Sequence, residues 1–248
     1  MKKAIILIAF SFIFITGFIA QTRAQDESLL IVGAAASFNP VLTELERAFE
    51  QRYPNVDLRF HTGGSGMIAR QVEAHAPIDV VMLASKKEAD SLQKQRLIDM
   101  EYPTGFLTNR LVVVQPVQEK KIWMDAETLV MGTPGAVPVG TYAEQALRES
   151  NWTGTRVYAK DASSVLMWVS SGEADAGILY ETDAKSSEEI RISYVFPEHS
   201  HDEIVYNAGT VVQSNHSTAK TFEAFLTSET AIRLFKQYGF DAGGESFK

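Results

Sequence analysis

Leu29-Leu30-Ile31-Val32-Gly33-Ala34-Ala35-Ala36-Ser37-Phe38-Asn39-Pro40 is the stretch that decides the fold. Leu29 to Val32 is a short apolar run stopped by glycine and small residues, which reads as a buried strand. Pro40 then opens a helix, because a proline in the first turn forfeits no intrahelical hydrogen bond. Val41, Leu45, Ala48 and Phe49 share one face of that helix, and Pro54 closes it near Arg52. The same phrase repeats downstream. Val56 to Phe60 alternates as a strand, Gly63-Gly64-Ser65-Gly66 leads into a helix through His75, and Pro77 stops it. Val80 to Leu83 is a third strand, followed by Ser85-Lys86-Lys87-Glu88 as a capping box. Strand–helix units in series build a parallel sheet covered on both faces, with ligands beyond the carboxyl ends of its strands.

The rest of the chain runs through a second α/β unit. Leu111 to Val114 and Gly177 to Tyr180 read as strands, as do Ile192 to Phe196 and Thr210 to Val212. Thr141-Tyr142-Ala143-Glu144 reads as a second capping box, and Asp161 as the N-cap of a helix over 162–169. Two helices over about 217–227 and 229–237 follow, and the tail is free to return to the first sheet. The expectation is an α/β protein of two lobes, each a mostly parallel sheet flanked by helices. Residues 27–106 and 208–248 are assigned to the first lobe and 107–207 to the second, with crossings near Phe106 and Asn207.

The first 24 residues differ from the rest. Lys2 and Lys3 precede an apolar run from Ala4 to Ala20, and Thr22-Arg23-Ala24 offers the small residues of a cleavage site. This is the pattern of a secretory leader cut after Ala24, so a periplasmic protein is expected. The chain has no cysteine, hence neither a disulfide nor a lipid-bearing thiol. The leader holds three basic residues and no acid, so its removal takes the formal charge from −8 to −11. An acidic surface of this kind disfavours nucleic acid as a partner.

Three loop-to-helix junctions collect small residues: Ala34-Ala35-Ala36-Ser37, Gly63-Gly64-Ser65-Gly66 and Asp161-Ala162-Ser163-Ser164. The first N–H groups of a helix lack intrahelical partners, and the helix dipole adds partial positive charge there. Small side chains let an anion reach that backbone, so three such ends together suit a dianion without help from Lys or Arg.

Six stretches, in order along nearly the whole mature chain, then carry a family resemblance. They are Gly33–Ser37, Ile68–Glu73 with Ala76-Pro77, Asn109–Val113, Val137–Ala143, Gly177–Tyr180 and Phe235–Phe240. With these the chain resembles the periplasmic molybdate-binding proteins of molybdate ABC transporters. The resemblance implies a monomeric binding protein that captures molybdate or tungstate between two lobes and delivers it to a membrane permease. It implies no catalysis, no cofactor and no protein atom bonded to the metal. Carried over by motif, the contacts to the oxyanion fall on the hydroxyls and N–H groups of Ser37 and Ser65, the N–H groups of Val139 and Ala162, and the hydroxyl of Tyr180. Ser37, Ser65 and Ala162 coincide with the junctions above; Val139 and Tyr180 rest on the resemblance alone. Relatives often carry a serine run where this chain has Gly63-Gly64-Ser65-Gly66, and a bulkier residue at Ala162.

Three other functions make different demands on the same residues. A binding protein for a sulfate-like oxyanion would share the same donors. A serine hydrolase using Ser37 or Ser65 would need a histidine in reach, with His61 and His75 nearest in sequence. An iron carrier would need clustered phenolates and carboxylates, and Tyr180 is expected to stand without a tyrosine neighbour. Glu198-His199-Ser200-His201-Asp202 has no zinc-type spacing to complete it and reads as a solvated loop.

Overall fold

The computed structural model describes residues 28–102 and 104–243; the expected leader lies outside them. In chain order the elements begin with β1 (Ser28–Ala35), α1 (Asn39–Arg52), β2 (Val56–Gly63), α2 (Ser65–Glu73), β3 (Val80–Leu83), α3 (Lys86–Lys94), β4 (Ile98–Asp99) and β5 (Leu107–Thr108). Then come β6 (Leu111–Pro116), β7 (Thr128–Gly132), α4 (Pro138–Arg148), β8 (Thr155–Ala159), α5 (Ala162–Ser170), β9 (Ala176–Tyr180), α6 (Glu181–Ala184) and β10 (Ile190–Val195). The last elements are β11 (Val205–Val211), α7 (Ala219–Phe225), α8 (Glu229–Gln237) and β12 (Asp241–Ala242).

Two sheets result. The first runs β2-β1-β3-β11-β5-β12, with β4 also beside β11; the second runs β8-β7-β9-β6-β10. Each has a parallel half, β2-β1-β3 and β8-β7-β9, as crossover units require. Each also has an antiparallel half, entered by the strands that follow a passage between sheets, β11 and β6. Because Leu107, Thr108 and Val205 to Asn207 pair within the first sheet, the chain crosses at Asn109–Arg110 and again over 196–204. The first crossing thus falls a few residues after Phe106, and the second a few before Asn207. β7 and β8 escaped the sequence reading. In β7 the apolar run is only Leu129 to Met131, shorter than that of β3, and β8 is an edge strand with mostly exposed positions, so neither shows a strong apolar period.

Helices cover both faces of each sheet. Ile68 and Val72 of α2 and Ala89 and Leu92 of α3 pack with Val81 and Leu83 on one face of the first sheet. Val165 and Val169 of α5 pack with Val130 and Leu179 in the second. Around Phe38 sits an aromatic cluster, with ring centroids 5.1 Å from Tyr206, 5.4 Å from Phe240, 6.1 Å from Phe235 and 6.2 Å from Phe106. Each such ring pair adds about 0.5–1.5 kcal/mol beyond area burial. The cluster therefore pins the turn that carries Ser37, one residue away.

Two expected caps are corrected. Ser85 precedes α3, but its hydroxyl donates to the Glu88 carboxylate rather than capping the backbone. Thr141 lies inside α4, which starts three residues earlier at Pro138; its Oγ1 accepts from Gly135 N–H at 3.2 Å. Proline at the first helical position overrides the capping-box signal. Asp161 does cap α5, its Oδ1 accepting from Ser164 N and Oγ, both at 2.7 Å.

Candidate functional site

The loops after β1, β2 and β3 and those after β7, β8 and β9 line one cleft of about 520 Å³ between the two sheets. It gathers all five expected contacts: Ser37, Ser65, Val139, Ala162 and Tyr180. Ala84, Ser85, Lys87, Glu88, Thr141 and Asp161 also line it.

Each position can be built from its element. Ser65 is the first residue of α2. Met67 and Ile68 donate to Gly64 O, which leaves the N–H groups of Ser65 and Gly66 without helical partners. A side chain at Gly64 would meet nothing within 4 Å, so the glycine keeps that approach open. Ser65 Oγ accepts from Ala84 N–H at 3.0 Å, so its own proton is free to point elsewhere. Ser37 lies in a 3-10 turn, Ala36–Phe38, that runs straight into α1. The junction is therefore a tighter turn than a plain helix start, though its first N–H groups are equally unpaired. Ser37 Oγ is buried, and the described residues offer it no hydrogen bond of ordinary geometry.

On the opposite wall, Pro138 has no N–H, and Gly140 and Thr141 donate to Val137 O at 3.1 and 3.3 Å. That leaves Val139 N–H as the donor at the start of α4. The helix comes this close to β7 because position 140 is glycine: a Cβ there would fall 2.3 Å from Gly132 O. The Val139 side chain is buried, so only its backbone is offered to the cleft. On α5, Asp161 takes Ser164 N–H and its backbone carbonyl takes Val165 N–H, leaving Ala162 N–H unused. Two bonds from Ser164 hold the Asp161 carboxyl below its usual range, so it stays ionised, facing its own helix cap. Tyr180 closes β9. Burial first, then Tyr206, Tyr142 and Asp183, push its hydroxyl well above the ordinary phenol range, so it remains a proton donor.

Lys87 is the one cation among the residues lining the cleft, and it is exposed. No histidine lines it, and His61 instead meets Gln71 Nε2 at 2.9 Å on the surface. Neither Ser37 nor Ser65 has a histidine beside it among the residues lining the cleft. Among the described residues no three His, Cys, Asp or Glu side chains form a metal-binding group, Glu198–Asp202 included. The expectation that Tyr180 has no tyrosine neighbour is corrected: the Tyr142 ring centroid lies 6.4 Å from its own, brought there by packing of α4 against β9. The described residues nonetheless form no carboxylate cluster of the kind iron needs.

The sequence reading missed the polar layer beneath this cleft. Asn109 Nδ2 donates to Thr182 Oγ1 at 3.0 Å and to the Tyr206 hydroxyl at 2.8 Å, and Asn109, Thr182 and Tyr206 are all buried. Asp183 lies nearby with its pKa raised to about 6 by burial. Asn109 opens one of the resembling stretches, yet nothing in its local pattern separates a buried amide from a loop residue.

A family model for bacterial extracellular solute-binding proteins matches residues 30–241. The molybdate-binding protein ModA of Escherichia coli is 32% identical over 238 residues, covering 90% of this chain and 92% of the relative. A putative ABC transporter substrate-binding lipoprotein of Bacillus subtilis is 30% identical over 234 residues, covering 90% of each. Among solved structures, the substrate-binding domain of a putative molybdenum ABC transporter from Clostridium difficile aligns at a TM-score of 0.78. That domain is 29% identical and covers 88% of this chain and 100% of its own. No helix among the described residues is long and apolar enough to cross a membrane. With two α/β sheets, a donor-lined cleft between them and these relatives, the chain belongs to the bacterial extracellular solute-binding protein family.

Proposed function

We propose that this chain binds molybdate or tungstate in the cleft and hands it to an ABC permease, acting as a periplasmic monomer without catalysis or resident cofactor. The observation that supports this most is the donor set. Serine hydroxyls, unpaired helix-start N–H groups and a phenol held protonated converge on one cleft, and the carboxylates beside them are engaged by Ser85 and Ser164. The relatives named for molybdate binding supply the choice of anion.

A five-atom oxyanion fills the space of a few waters, at about 30 Å³ each. A cleft of about 520 Å³ holds several times that volume, so closer approach of the walls would exclude the remaining water. The two sheets with their helices therefore act as lobes that close, hinged at Asn109–Arg110 and within 196–204. Closure presents the permease with a surface that depends on the ligand.

A cleft in which donors predominate and both lining carboxylates already accept from serines favours a fully deprotonated dianion. Hydrogen phosphate would bury a proton with no partner, at a cost of about 1–3 kcal/mol. Calorimetry of the protein with molybdate, tungstate, sulfate and phosphate at pH 7 tests this. Tight molybdate and tungstate with weak phosphate is the expected result; phosphate as tight as molybdate, or no oxyanion bound, overturns it.

A further inference from the structure

A serine hydroxyl is both donor and acceptor, so a serine in an anion site is a reliable donor only if something behind it occupies its lone pairs. For Ser65 that group is Ala84 N–H. For Ser37 no backbone donor does this, and its buried Oγ lacks a hydrogen bond of ordinary geometry among the described residues.

What lies behind Ser37 has a determined direction. Arg110 N–H can only donate, and it does so to Asn109 Oδ1 at 2.8 Å. That fixes the amide: oxygen toward Arg110, nitrogen toward Thr182 Oγ1 and Tyr206. Both amide hydrogens are then used, and the Tyr206 hydroxyl is an acceptor from Asn109. Its own proton must go to another acceptor. Ser37 Oγ, buried and itself without a hydrogen bond of ordinary geometry among the described residues, is a neighbour able to accept that proton, whereas Asp183 acts on the phenol through charge alone. The backbone beside Ser37 is held against the same ring by Phe38, 5.1 Å between centroids.

We propose that Asn109 and Tyr206 are positioning residues for anion selectivity: the amide turns the phenol's proton toward Ser37 Oγ, and the phenol turns the Ser37 proton into the cleft. The inference rests on the reading of the cleft as a site for a fully deprotonated oxyanion, and it explains why a residue at the lobe crossing belongs to that site. No bond is broken; only the direction of a hydrogen-bond chain is set, starting from the Arg110 amide.

Two substitutions reverse or cut the chain. Tyr206→Phe removes the phenol and frees Ser37 to turn its lone pairs to the ligand. Asn109→Asp replaces a donor by an acceptor, so the phenol proton turns to the new carboxylate and Ser37 donates backwards. Calorimetry with molybdate and with inorganic phosphate at pH 7 gives the ratio of the two affinities, and thermal unfolding checks the fold. The ratio should fall at least tenfold in Tyr206→Phe and further in Asn109→Asp. In a Ser37→Ala background Tyr206→Phe should change it no more, since the two act as one unit. An unchanged ratio in either folded variant, or an equal loss for both anions, overturns the chain. A parent protein that fails to bind molybdate or tungstate sinks the functional reading instead, and the parent is measured first. Should Tyr206→Phe fail to fold, Asn109→Asp decides alone, read by the same ratio.

Discussion

The two walls of the cleft rest on the same strand order but offer the ligand different chemistry. In the proposed site the donors behind β2-β1-β3 are the hydroxyls of Ser37 and Ser65 beside unpaired helix-start N–H groups; behind β8-β7-β9 they are the backbone N–H groups of Val139 and Ala162, with the Tyr180 phenol. A backbone N–H donates whatever side chain it carries. A hydroxyl can reverse, so the first wall needs enforcing neighbours, Ala84 for Ser65 and, as proposed above, Tyr206 for Ser37. The walls should therefore fail differently under mutation.

The largest effect is expected from Ala162→Pro. Position 162 opens α5, where proline is tolerated, and Asp161 before it is already extended at φ −162°, ψ 172°. The fold should survive with its thermal midpoint within a few degrees, while molybdate affinity drops by about one to two decades. Unchanged affinity by calorimetry would make that helix start a cap and nothing more. About one decade each is expected from Ser37→Ala, Ser65→Ala and Tyr180→Phe. Ser65→Ala should also lower stability, because Ala84 N–H loses its acceptor; Tyr180→Phe should not.

The second wall also holds a buried charge. Asp183 has its pKa raised to about 6, so the folded protein binds more protons than the unfolded chain between about pH 4 and 6. Stability is thus lost as pH rises through that window, the reverse of an ion-paired carboxylate. Asp183→Asn should stabilise the protein, and its advantage should grow by roughly 1–2 kcal/mol between pH 5 and pH 8. Denaturant unfolding at the two values reads this directly; an advantage that shrinks with pH would show the carboxylate is stabilised.

How far all this was legible follows from the kind of signal each residue leaves. Val41 to Phe49, Val80 to Leu83 and the Pro and Gly stops are periodic or local, so β1, β2 and β3 with their helices read correctly. The two-residue strands β4, β5 and β12 leave no pattern, and β11 was expected only over 210–212 although it begins at Val205. Ser65 and Ala162 were visible because small residues before a helix expose backbone. Val139 was not, since a buried valine after proline looks like core; only the family resemblance singled it out. The Tyr142–Tyr180 contact and the Asn109–Tyr206 pair join residues distant in sequence. Only tertiary packing decides them.

Smaller effects sharpen the contrast between the walls. Val139→Ala keeps the N–H and should leave molybdate affinity within about threefold, while stability falls by about 1–2 kcal/mol for the lost methyl groups. Titrations from low to high chloride should show a shallow dependence. The chain is formally −8, Lys87 is the one lining cation, and short-range dipoles are screened poorly. A steep loss of affinity with salt would point to an exposed Lys or Arg site instead.

The most direct test is a crystal structure of the protein with tungstate, located by its anomalous scattering. The account predicts the tungsten between the two walls, its oxygens within hydrogen-bond distance of Ser37, Ser65 and Tyr180 hydroxyls and of Val139 and Ala162 nitrogens. A tungsten bonded directly to Glu88 or Asp161, or an anion bound at Lys87 with the two walls still apart, would contradict it.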